Sequence, residues 1–326
     1  MYAIVAQRPG NPDVLEWTEV PDASAGEGEV LVQLEAAGVN FIDTYERSGV
    51  YPSEFPLIPG LEGAGRVVAV GEGVTDVTEG QIVAWTNVPR SYAELVAVPA
   101  RRTLPVPDGV PAEVAAAVPL QGMTAHYLVN SVYEVRPGTT ILITAGAGGV
   151  GRIVTQLAKS KGATVIATVG RPEKTEIARA AGADHVVELS ELDDPAVGIP
   201  GLVREIVPGG VDVAYDGIGK ATFDGTLGSV RRRGLLVLFG GASGQVPPFD
   251  LQRLNRAGSL FVTRPTLSDY IVTREELTWR AAELFNAALE GNLDFEIGKS
   301  VALQDAAEAH RALESGESTA KVILRA

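Results

Sequence analysis

The stretch TAGAGGVGR (144–152) holds Gly146, Gly148 and Gly151 at the spacing G-x-G-x-x-G. Glycines at that spacing let a backbone approach a pyrophosphate, and a helix starting there offers unpaired N–H groups and its positive dipole end. A glycine cluster alone says little in a chain with 37 glycines. Here the apolar run TTILIT (139–144) precedes the loop and the amphipathic GVGRIVTQLAKSKG follows it, the strand–turn–helix context in which the spacing denotes a dinucleotide site. Ala147, Gly148, Gly149 and Val150 are therefore expected against the cofactor. A second apolar run, ATVIATV (163–169), ends at Gly170 and Arg171, with Lys174 one helical turn on. An NAD site would place a carboxylate at that strand end. Two cations and no strand-end carboxylate suit a 2′-phosphate, so Gly170, Arg171 and Lys174 predict NADPH, with the neighbouring Glu173 pulling the other way.

Other chemistries lack their residues. No tyrosine has a lysine four positions on, Tyr270 being followed by Arg274, and there is no G-x-S-x-G elbow, so short-chain dehydrogenase and serine hydrolase machinery are missing. His126, His185 and His310 have no metal-ligand spacing and read as surface or packing residues. With no cysteine in 326 residues, disulfides, iron–sulfur clusters and thiolate zinc sites are excluded. A net charge of −14 argues against a nucleic-acid or anionic-membrane partner. The composition, 45% hydrophobic and 21% charged, is that of a folded protein with real cores. The opening residues lack a cationic segment followed by an apolar run, and no apolar stretch is long enough to span a bilayer. A cytoplasmic protein is expected.

The elements that must position these residues fall into two textures. EVLVQLEAAGVN (29–40), GAGRVVAVGEG (63–73), QIVAWT (81–86) and YAELVAV (92–98) are short β-rich runs punctuated by Gly and Pro. After Pro111 the alanine-rich AEVAAAVPLQGMTAHYLVN reads as helix, marking a boundary near 120. From TTILIT onward apolar runs alternate with helical patterns: HVV (185–187), VDVAYD (211–216), a helical TFDGTLGSVRRR and the strand GLLVLFGG (234–241). That alternation implies a parallel sheet. Arg231–Arg233 beside Gly234 read as a basic helix end with its C-cap. Two helical patterns and the strand KVILRA close the chain.

The motifs AAGVNFIDTYERSGVYP (36–52), PGLEGAGRVVAVGEGV (59–74), GMTAHYL (122–128), TAGAGGVG (144–151), RRGLLVLFGGASG (232–244) and VTRPTL (262–267) resemble, nearly end to end, the zinc-independent quinone oxidoreductases of the medium-chain dehydrogenase/reductase family. The resemblance implies an α/β fold: a GroES-like β domain from residues 1–122 and 265–326, and a Rossmann doubly wound parallel-sheet domain, 123–264, that binds NADPH. In zinc-dependent relatives a cysteine follows AAGV and a His-Glu pair follows the PG turn. Here Asn40 and Leu61 before Glu62 stand instead, so no metal site is expected, and Glu62 reads as a locally paired buried carboxylate or a turn residue. Without a metal, hydride transfer suits conjugated acceptors that spread the arriving charge. The resemblance places Asn40, Tyr45 and Tyr51 at the catalytic end, with Asn40 also touching the cofactor. It places Thr124 near the nicotinamide ribose, Phe239 and Gly240 along the cofactor's path, and Arg264 reaching back to the cleft. Asn40 has the stronger case, because an amide ending an apolar strand needs a partner. The compact AWTNVPRSYAEL departs from the relatives, with Trp85, Asn87 and Arg90 as possible cleft residues. The expected function is a zinc-free NADPH-dependent reductase of quinones or enones, working as a homodimer. An enoyl-thioester or alkene reductase and a non-catalytic, crystallin-like NADPH-binding protein are the alternatives.

Overall fold

The long strand Glu29–Val39 organises the first of two compact units. Its central positions Val30, Val32 and Leu34 are buried while Gln33 is exposed, the alternation of a strand with one face on a core. It pairs antiparallel with Leu95–Pro99 and Lys321–Arg325 along one edge and with Glu62–Val70 along the other, and register shifts at Leu31/Val32 and Leu34/Ala36 bend it between these partners. The sheet runs Ile297–Ala302, Lys321–Arg325, Glu29–Val39, Glu62–Val70, Ile82–Thr86, Thr103–Pro105, with Leu95–Pro99 beside the long strand. Trp85, Tyr92, Val96 and Leu324 lie in its core. This unit comprises Met1–Met123 and Ile271–Ala326 of the computed structural model, which describes residues 1–316 and 318–326.

The second unit, Thr124–Tyr270, is built on six parallel strands. Their order is His185–Glu188, Thr164–Val169, Thr140–Ile143, Val211–Asp216, Val230–Leu238, Phe261–Thr263. Chain order thus reverses between Thr140–Ile143 and Val211–Asp216, the switch point beside which open parallel sheets bind ligands. The stretch 265–270 belongs to this unit, where Tyr270 stacks on Tyr127 with ring centroids 4.4 Å apart.

The structure corrects one expectation. The helix in TFDGTLGSVRRR ends at Ser229, and Arg231–Arg233 lie in strand Val230–Leu238. Val230 already pairs with Val211, and the Arg231 Nε donates to the Asp212 carboxylate at 2.6 Å. A register shift and a positive φ of 59° at Arg233 carry the chain past Gly234, whose Cβ would sit 2.8 Å from the Asp212 carbonyl oxygen. Gly234 is therefore required by strand packing and caps no helix.

Candidate active site

Two groups of the expected residues assemble, one in each unit. In the second unit the loop glycines divide by role. A Cβ on Gly146 would meet the Ala167 Cβ at 2.6 Å, and one on Gly151 would meet the Ala145 carbonyl oxygen at 2.2 Å. Both are required by the protein's own packing of loop on strand and loop on helix. Gly148 differs: its φ of −83° is ordinary, and its Cβ would approach the Ala145 oxygen only to 3.2 Å. It N-caps the helix Gly149–Ser160, and no side chain caps that terminus. The N–H groups of the first turn, at Gly149 and Val150, are left to another acceptor. Ala147, in the same loop, is buried.

The Gly146 N–H donates to the Thr168 carbonyl at 2.9 Å, tying the loop to the end of strand Thr164–Val169. Immediately beyond, a Cβ on Gly170 would touch nothing within 4 Å. Arg171 is exposed and Lys174 half-buried. Burial, and then the Arg171 charge, push the Lys174 ammonium below its usual range, as expected of two cations held near one another.

Asp216 ends strand Val211–Asp216 and gathers the other loops at the strand ends. Its carboxylate accepts from the hydroxyls of Thr144, Thr222 and Thr226 and from the Ile218 and Gly219 N–H groups. Its carbonyl accepts from the Phe239 N–H at 2.9 Å. Gly240 must lack a side chain, since its Cβ would lie 2.4 Å from the Gly217 carbonyl oxygen. Thr124 is buried at the start of this unit. Arg264 is exposed after strand Phe261–Thr263, its guanidinium donating to the Pro265 carbonyl.

In the first unit the sheet register brings three chain segments to one end. Val39 pairs with Val322 and Ala37 with Gly63, so Asn40, Lys321 and Glu62 meet where their strands begin or end. Asn40 Nδ2 donates to Glu62 Oε1 at 2.7 Å and to the Gly38 carbonyl at 3.5 Å. Asn40 Oδ1 accepts from Lys321 Nζ at 2.8 Å and Gln121 Nε2 at 3.2 Å. Both donors and both acceptor sites of the amide are thereby used. Glu62 also takes Lys321 Nζ at 2.5 Å and the Leu120 N–H at 2.6 Å, so it is the paired buried carboxylate and no turn residue. An ammonium thus stands between the two positions where the resemblance would put metal ligands.

Asn40 also starts the helix Phe41–Ser48, its N–H donating to Asp43 Oδ2 at 2.8 Å. That helix carries Tyr45, whose ring lies 5.2 Å from that of Tyr51 and 6.2 Å from the exposed Phe41. Beneath it Asp43 accepts from the Tyr92 hydroxyl at 2.9 Å, and Tyr92 contacts His310, which contacts Arg47. Burial pushes the Asp43 carboxyl up to about 7, against the Asn40 and Tyr92 hydrogen bonds. Burial, helped by Arg47, drives His310 down to about 3. Trp85 is fully buried with its indole N–H on Ser91 Oγ, which removes it from any surface. Asn87 and Arg90 hold positive φ angles of 56° and 69° in the compact turn. Lys321 and Gln121 escaped sequence reasoning because their partners lie far along the chain, whereas Asp43 had a local signal in its capping-box spacing three residues after Asn40.

Two family models match, described as "Alcohol dehydrogenase GroES-like domain" over residues 26–108 and "Zinc-binding dehydrogenase" over 149–286. A quinone oxidoreductase from Pseudomonas aeruginosa is 43% identical over 320 residues, 97% of this chain and 96% of the relative. A 2-haloacrylate reductase from a Burkholderia species is 39% identical over 99% of this chain and 98% of its own. A mycobacterial protein solved in complex with NADPH superposes with a TM-score of 0.97 at 47% identity, with full coverage of both chains. The two-unit fold, the glycine loop at the switch point and this similarity along the whole chain agree: the chain belongs to the quinone oxidoreductase branch of the medium-chain dehydrogenase/reductase family.

Proposed function

We propose that this protein is an NADPH-dependent reductase of quinones and related conjugated carbonyls. The observation that carries the cofactor choice is the Arg171 and Lys174 pair beyond strand Thr164–Val169, next to the open space at Gly170. Two cations repelling one another at a strand end gain from a dianionic 2′-phosphate between them. The uncapped helix start at Gly148 supports pyrophosphate binding in the same unit. Thr124, Phe239, Gly240 and Arg264 would hold the remainder of the cofactor. When bound, NADPH supplies the hydride. This chain's own residues orient the acceptor and exclude water: Tyr45 and Tyr51 offer aromatic faces to a flat conjugated ring, and Asn40 braces the polar end of the site. The relatives' activities, quinone reduction and 2-haloacrylate reduction, support the acceptor class.

A cytoplasmic homodimer is part of the same proposal. The cysteine-free composition suits a reducing compartment. Strand Phe261–Thr263 ends the parallel sheet with Phe261 63% exposed, an edge that a second copy could cover.

The test is steady-state reduction of a panel of quinones, enones and enoyl thioesters with NADPH and NADH. Preferential turnover of quinones with NADPH is expected. The 2-haloacrylate reductase similarity favours alkene reduction as the second reading. Turnover of enones or enoyl thioesters alone would establish it, and NADPH binding without turnover would establish a non-catalytic role.

A further inference from the structure

We propose that Lys321 and Glu62 form a buried positioning pair which, through Asn40, fixes the carboxamide of Gln121 as the hydrogen-bond donor to the acceptor's carbonyl oxygen; this rests on the reductase reading above.

An amide's two ends are nearly the same size, so what decides its orientation is the charge of its neighbours. Asn40 has an anion on its nitrogen side and a cation on its oxygen side, with Glu62 Oε1 at 2.7 Å and Lys321 Nζ at 2.8 Å. A flipped amide would set N–H against N–H and oxygen against oxygen. Asn40 Oδ1 therefore has one lone pair left, and only a donor can use it. That donor is Gln121 Nε2 at 3.2 Å. The choice fixes Gln121 in turn: one of its two amide hydrogens is committed to Asn40, and the other remains for a ligand.

Exposure separates the terminal member from the rest. Asn40 is 4% exposed, and the Lys321 and Glu62 side chains are 3% and 0% exposed. Gln121 is half-buried, so of these four side chains it is the one that carries the hydrogen bonds toward the surface of the unit. Asn40 also starts the helix bearing Tyr45, so the tyrosines and the Gln121 amide are referred to the same residue.

The fold gives up strand stability to keep this pair. A Cβ on Gly38 would lie 2.2 Å from Glu62 Oε1 and 2.8 Å from Lys321 Cε. Gly38 sits in an otherwise apolar strand end, where glycine is unfavourable. A buried ion pair is itself a poor source of stability, since apolar residues of the same volume serve as well or better. Orientation of Asn40 is what the pair supplies and an apolar pair would not.

The chemistry needs such a donor. Hydride addition to a conjugated carbonyl drives the π electron pair onto its oxygen, and NADPH leaves as NADP⁺. The oxygen then takes a proton from solvent, and for a quinone the carbon that received the hydride loses its proton as the second oxygen gains one, so that quinone, NADPH and one proton give quinol and NADP⁺. A fixed N–H directed at that oxygen lowers the barrier as the charge arrives.

The experiment compares the parent, Gln121→Met, the double variant Glu62→Gln/Lys321→Met and the triple combination, with 1,4-naphthoquinone as acceptor. Removing both charges together leaves no unpaired buried ion, so the double variant should melt close to the parent. NADPH affinity should be unchanged in Gln121→Met. The kcat for naphthoquinone should fall about 10- to 100-fold in Gln121→Met and in the double variant. The triple variant should be no worse than the more impaired of the two, because both act through one donor. Parental kcat in Gln121→Met, or losses that multiply in the triple variant, would overturn the proposal. If the double variant does not fold, Gln121→Met alone decides. A parent with no NADPH-dependent quinone reduction would instead remove the reductase reading, whereas an active parent with an equally active Gln121→Met removes only the positioning chain.

Discussion

Replacing Asp43 with Asn should change how the stability of the first unit depends on pH. Burial pushes the Asp43 carboxyl up to about 7 in the folded protein from an ordinary 3.8. The native state therefore binds more protons between those limits, and stability is full below about 3.8 and is lost as pH rises toward 7. At 1.36 kcal/mol per unit the whole loss is about 4 kcal/mol. His310 acts in the opposite sense, titrating at about 3 against 6.5. The unfolded chain binds the extra proton there, so stability falls as pH drops from 6.5 through 3, by about 5 kcal/mol in all. Between pH 4 and 6.5 the two slopes nearly cancel. Asparagine can keep both hydrogen bonds that Asp43 Oδ2 accepts, from Asn40 and Tyr92, while deleting its titration. Trp17, Trp85 and Trp279, the only tryptophans, all lie in this unit, so urea unfolding followed by tryptophan fluorescence reports on it alone. The stability of the parent minus that of Asp43→Asn should fall by about 2 kcal/mol from pH 4.5 to 6.0, because all other titrations cancel in the difference. A difference that is flat, or that rises with pH, would refute the reasoning.

Three further outcomes are expected. The double variant Arg171→Ala, Lys174→Ala should weaken NADPH by about two to four powers of ten and leave NADH nearly unaffected; titrations at two salt concentrations should show the parent's preference eroding with ionic strength and the variant's staying flat. Gly148→Val should abolish NADPH binding and keep a cooperative melt, whereas Gly151→Ala, whose Cβ would meet the Ala145 carbonyl oxygen at 2.2 Å, should lower the melting temperature itself. Dialysis against a strong chelator should leave turnover and melting temperature unchanged, which an assay before and after added zinc will check.

The glycine loop and the strands around it were legible because each carries its signal locally. TTILIT, ATVIATV and VDVAYD are apolar runs bounded by turn residues, and they became Thr140–Ile143, Thr164–Val169 and Val211–Asp216. The helix Pro195–Ile206 was not legible, since Gly198, Pro200 and Gly201 fall inside it. These apparent breakers are partly contact residues. The neighbouring helix Phe223–Ser229 approaches so closely that a Cβ on Gly225 would lie 2.3 Å from the Pro195 carbonyl oxygen, and one on Gly228 would meet the Pro200 ring at 3.3 Å. Arg231–Arg233 misled for a related reason: a run of cations after a helical pattern looks like a helix end until the Asp212 pairing is known. In the site, Asn40 announced its need for a partner, but the sequence could not say that the partner was Lys321, which stands 281 residues away.

That separation has a consequence for synthesis. At about 5–20 residues per second, Asn40 is made roughly 15–55 s before the lysine that will orient it. During that interval Glu62 has no cation beside it and remains hydrated, and strand Glu29–Val39 lacks its neighbour Lys321–Arg325. The second unit, contiguous from Thr124 to Tyr270, has every strand of its sheet before then. The nascent chain would therefore hold a formed cofactor fold attached to an unfinished antiparallel sheet, and strand Lys321–Arg325 would then bring the charge that completes the Asn40 and Glu62 cluster.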